Sequence, residues 1–96
     1  MPLFVVRHEH AAETCPAADP QVAPMLAQHV SAGNVEQHGM KLHGEAVLDG
    51  RHTLYLIVDS PDQERVEAFM QPFAQMGSVD VMPASSCEAV VERAAC

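Results

Sequence analysis

The chain opens on PLFVVRHEH, an apolar run that alternates and then turns polar, as a strand does when it reaches the end of a sheet. Alternation puts Phe4, Val6, His8 and His10 on one face and Leu3, Val5, Arg7 and Glu9 on the other. The following AAETCPAADP is small-residued with two prolines and reads as a loop. Asp19-Pro20 suits a helix N-cap and first turn, with Ala23-Pro24 as an alternative start. Val22, Met25, Leu26, His29 and Val30 then recur at helical spacing, and Gly33-Asn34 marks a stop.

GMKLHGEAVLDGRHTLYLIVDS reads as a hairpin turning at Asp49-Gly50. Its first strand carries Met40, Leu42, Ala46 and Leu48 on one side, and Lys41, His43, Glu45 and Val47 on the other. The second, TLYLIVDS, is apolar on both faces and therefore central. Ser60-Pro61-Asp62-Gln63 resembles a capping box with proline at the first helical position. Val66, Phe69, Met70, Phe73 and Met76 form the stripe of that helix, and Gly77 ends it. SVDVMPA is a short fourth strand, and SSCEAVVERAAC a short helix with a second capping box over Ser85 to Glu88.

Strand, helix, strand, strand, helix, strand is the ferredoxin-like βαββαβ order, an α+β fold with a four-stranded antiparallel sheet and two helices on one face. Residues 1–96 make a single such domain, since a second core would not fit. Apolar residues on both faces of the third strand imply that the uncovered face is buried as well. A second copy is the simplest cover, so a homodimer is expected.

Composition narrows the function. Apolar residues make up 48 % of the chain, enough for a core of Val, Leu, Ala and Met. A net charge of −8 with five Lys and Arg repels polyanions, so nucleic acid and anionic membranes are poor partners. No apolar run approaches the roughly 20 residues of a membrane span, and MPLFVVRHEH lacks a signal-peptide pattern. The three cysteines are odd in number and widely spaced, which favours reduced thiols in a cytoplasm over a disulfide framework.

His8 and His10 carry the chemistry. Residues i and i+2 of a strand point the same way, about 6.5–7 Å apart, so two imidazoles can converge on one cation. The bland alternative is a strand end entering solvent. Cys15 follows in the tight ETCPA loop and adds a soft donor, a mixed N/S set that suits Zn, Ni, Cu or Fe over Mg or Ca. Glu9 and Glu13 could accept from an imidazole and fix its tautomer. His38, in the loop before the second strand, can swing in as a further nitrogen. His43 shares a face with Lys41 and Glu45 and reads as solvated; His29 reads as packed, and His52 as exposed beside the hairpin turn. Cys87, near a helix start, is a further ligand or redox candidate, and terminal Cys96 reads as incidental. No CxxC, glycine-rich phosphate loop, G-x-S-x-G or H-E-x-x-H motif occurs.

With its opening MPLFVVRHEH, the hairpin EAVLDGRHTLYLIVDSP and PDQERVEAF leading the second helix, the chain resembles the dimeric α+β barrel superfamily. Within it the likeness is to small bacterial nickel-binding proteins with a ferredoxin-like dimer. The resemblance implies a metal-ligand role for His8 and His10 alone. The ETCPA loop and the tail SSCEAVVERAAC depart from that pattern, and thiolate donors shift preference toward zinc or copper(I). Two expectations follow: a small metal-binding protein using His8, His10, Cys15 and His38, or an isomerase- or monooxygenase-type dimeric-barrel enzyme using His or Cys as base or nucleophile. A third is a structural or regulatory dimer with incidental histidines.

Overall fold

In the computed structural model, which describes all 96 residues, the opening alternation becomes β1 (Leu3–His10), with Phe4, Val6 and His8 buried. Two 3-10 turns, Ala12–Thr14 and Pro16–Ala18, carry the chain to α1 (Val22–His29) and α2 (Ala32–Gln37). The hairpin is β2 (Lys41–Leu48) and β3 (Thr53–Asp59); α3 (Gln63–Phe69), α4 (Gln71–Ala74), β4 (Gly77–Ala84) and α5 (Cys87–Arg93) complete the order. The fold is α+β, with one open four-stranded sheet in the order β2-β3-β1-β4 and every neighbouring pair antiparallel.

The core lies between one sheet face and the helices. Phe4, Val6, Leu54, Leu56 and Val58 from the sheet meet Val35, Val66, Phe69, Met70 and Phe73. Nothing covers the opposite face, where Met82, Val5 and Ile57 sit opposite one another across β4, β1 and β3. Ile57 is 42 % and Met82 40 % exposed there.

Both long helices are broken. The Asp19 carboxylate accepts the Gln21 and Val22 amides, so the first helix is capped where expected. It ends at Val30, however, and Ser31 caps α2 by accepting the Asn34 amide. Gly33 and Asn34 therefore lie inside α2; the real stop is Gly39, whose φ of 77° favours glycine. Met25, placed on the stripe by spacing, is 70 % exposed. The second helix restarts after Met70, because Pro72 has no N–H to continue the ladder. Its cap is Asp62, accepting from Arg65, while Ser60 is buried and donates to the Asp62 carbonyl. In α5 the cap is Ser86, one residue later than the spacing suggested.

A bulge at His43 resets the second strand. Leu42, Glu45 and Val47 oppose Val58, Leu56 and Leu54, so all three face the helices, whereas simple alternation separates Leu42 from the other two. The His43 ring is left outside the ladder and donates to Asp59 at 2.8 Å.

Candidate metal centre

Three chain segments meet where β1 ends. His10 is the last residue of β1, and its amide donates to the His52 carbonyl at 3.2 Å, so His52 lies beside it just ahead of β3. Cys15 is pinned between the two 3-10 turns, its amide donating to Ala12 while Pro16 opens the second turn. His52 adopts φ 52°, a left-handed conformation uncommon for a residue with a Cβ. One nitrogen from each histidine and the Cys15 sulfur all lie within 4.8 Å of one another. Around a tetrahedral zinc such donors would stand roughly 3.3–3.6 Å apart, a spacing within that limit.

His8 stands behind this group. It is 1 % exposed, edge-on to Phe73, with ring centroids 5.1 Å apart. Its Nδ1 is 3.0 Å from the Ser78 carbonyl, and its Nε2 is 3.3 Å from His10 Nδ1. These contacts determine both tautomers. A carbonyl only accepts, so His8 Nδ1 carries the proton and neutral His8 has a bare Nε2. That nitrogen must accept, so His10 Nδ1 donates to it. His10 Nε2 is then a bare lone pair, and it is screened from solvent with no hydrogen-bond partner.

Electrostatics keep both rings neutral. Burial lowers the His8 pKa, and proximity to His10 adds to this; the Ser78 hydrogen bond opposes both. Burial likewise lowers that of His10, with His52 contributing like-charge repulsion. Neutral imidazole is the form that ligates metals.

The three donors line a cavity of about 480 Å³ between α1 and the sheet. Leu26, Val30, Val47, Leu54 and Phe73 supply its apolar walls.

Residues 3–95 match the model of a family described as a domain of unknown function, DUF3303. The chain belongs to this family. No curated protein matches it.

Of the residues singled out in the sequence, His10 and Cys15 enter the cluster, and His8 backs it with both nitrogens already engaged. His38 is not brought there: it caps α2, its Nδ1 donates to the Asn34 carbonyl at 2.8 Å, and its ring packs edge-on to Phe69. His29 packs as expected, stacked on Phe69 and donating to its carbonyl. Cys87 follows β4, whose Ala84 pairs with Leu3, so it lies at the far end of β1 from His10. Cys96 is exposed. The residue missed by sequence reasoning is His52, taken for an exposed flank of the hairpin. Antiparallel pairing of β1 with β3 sets the start of one beside the end of the other, and that topological signal identifies it.

Proposed function

We propose that this domain binds one late transition metal ion, zinc, nickel or copper, through His10, Cys15 and His52. The observation that carries this reading is the bare, solvent-screened Nε2 of His10 within a two-histidine, one-cysteine cluster. A buried acceptor without a partner is costly, and a cation is the natural group to satisfy it. His8 acts as the outer partner that orients the His10 ring and fixes its tautomer, as carboxylates and carbonyls do for ligating histidines elsewhere. The ligand set combines borderline nitrogen with soft sulfur, which disfavours Mg and Ca.

The deciding measurement is elemental analysis of untagged protein equilibrated with Zn, Ni and Cu and then desalted. One equivalent of metal per chain is expected, lost in a His10→Ala, His52→Ala double variant. Metal-free protein after all three treatments would eliminate the reading.

A second reading, an enzyme acting on a small organic molecule, is favoured by the apolar cavity against the same side chains. With three protein donors and an open position, the two readings merge into a metalloenzyme.

We also read the fold as ferredoxin-like, supported by β3 lying between β1 and β2 with β4 outside β1. The Met82–Val5–Ile57 row is the surface we assign to a second copy, giving a dimeric barrel. No helix is long and apolar enough to cross a membrane. Three free thiols fit a reducing, cytoplasmic setting.

A further inference from the structure

We infer that the cavity beside the His10–Cys15–His52 cluster binds a small uncharged apolar thiol, whose sulfur completes the coordination of the metal. This rests on the metal reading above. The cavity is of the size that small-molecule sites occupy, and His10, Cys15 and His52 all line it. Apolar side chains from α1, β2, β3 and α4 make up most of the remaining wall, so the occupant has one donor head and an apolar body.

Coordination and charge specify the head. Three protein donors leave a tetrahedral ion one position short, whereas a closed structural site supplies four. The acidic wall residues Glu45 and Asp49 do not join the three-donor group. A divalent ion held by two neutral imidazoles and one thiolate carries one net positive charge. A monoanionic head at the open position brings that charge to zero at the ion itself. Sulfur is the head that suits a late metal already bound by nitrogen and sulfur. On binding, the thiol S–H bond breaks, its proton passes to water, and the thiolate sulfur forms the metal bond in place of a coordinated water. No electron changes hands.

The tail is specified by the same walls. Glu45 and Asp49 are both exposed carboxylates at the cavity, so they repel an anionic tail. A carboxylate ligand of equal size presents hard oxygens, which match this metal poorly.

The test uses the full chain loaded with Co(II), reading the cobalt–thiolate charge-transfer absorption while titrating three probes: benzyl mercaptan, 2-mercaptoethanol and 3-phenylpropanoate. Benzyl mercaptan is expected to raise that absorption and to bind about tenfold or more tighter than 2-mercaptoethanol, because only it buries a ring. The carboxylate should leave the spectrum unchanged. Leu26→Trp, from α1, and Val47→Trp, from β2, each put an indole on the cavity wall; they should abolish the preference for the aromatic thiol while the spectrum of the probe-free loaded protein persists. Equal affinity for the two thiols, tighter binding of the carboxylate, or a preference surviving in whichever filled variants fold would overturn the inference with the metal site intact. Absence of any cobalt–thiolate absorption before probe is added would instead sink the metal reading, and this inference with it.

Discussion

The backbone amide of His10 donates to the carbonyl of His52, which joins the last residue of β1 to the residue entering β3. The two imidazoles consequently stand 5.2 Å apart, centre to centre, at 70°. Pairing of β1 with β3 brings together two donors that are distant in sequence, His52 coming from the turn just ahead of β3 and Cys15 from a separate loop. A cluster built this way is anchored to the sheet through His10.

His10→Ala, Cys15→Ser and His52→Ala should each weaken zinc binding by more than about 100-fold. His38→Ala should leave it unchanged, because that ring belongs to the end of α2. Competition against a chromophoric chelator measures all four. A large loss in the His38 variant, with normal His52 behaviour, would relocate the site.

His8→Phe preserves the aromatic contact with Phe73 but removes the acceptor for His10 Nδ1–H. Metal affinity should fall by about 10–100-fold without loss of any ligand. Nitrogen-15 NMR of the apo protein should report the Nδ1–H tautomer of His10 in the parent and a mixture in the variant. An unchanged tautomer would remove His8 from the role assigned to it.

Acid should destabilise the apo fold through these same rings. Both folded-state pKa values lie below the ordinary imidazole value of 6.5. Above that value folded and unfolded chains are both neutral at these positions, and the rings contribute no pH dependence. As pH falls through it, the unfolded chain takes up protons first, so stability declines until the folded rings titrate. Urea midpoints should drop from pH 7.5 to 5.5, and drop less in His8→Phe. A parent and variant with identical pH profiles would contradict the assignment for His8.

Gly77→Ala should damage both fold and site. A methyl at Gly77 would collide with the Glu9 carbonyl and press on the His10 backbone, where β4 pairs with the end of β1. Neither group can yield without parting the strands. A loss of about 2–4 kcal/mol is expected by chemical denaturation, together with weaker metal binding in whatever fraction folds. Parent-like stability would mean the two strand ends are more pliable than their pairing suggests.

The order of strands and helices could be read from apolar runs and their periodicity, and burial alternates along β1 as that reading requires. His8, His10 and Cys15 were legible as chemistry for similarly local reasons: spacing on a strand, then a short loop. The helix breaks at Val30 and Met70 were less so, since apolar spacing runs straight through both. What ended those helices was a serine cap in one case and a missing proline N–H in the other. The bulge at His43 was invisible to alternation, which assumes an unbroken pleat.

By itself the sequence determined which residues are apolar at which period, and hence an α+β chain whose first strand ends in histidines. Only the tertiary structure decided how those histidines divide their roles. His8 turns to a carbonyl 70 residues away, and His52 arrives through strand pairing while His38 stays with its helix. Tautomer, ligand and cavity wall are properties of neighbours in space, and those neighbours are set by sheet register rather than by distance along the chain.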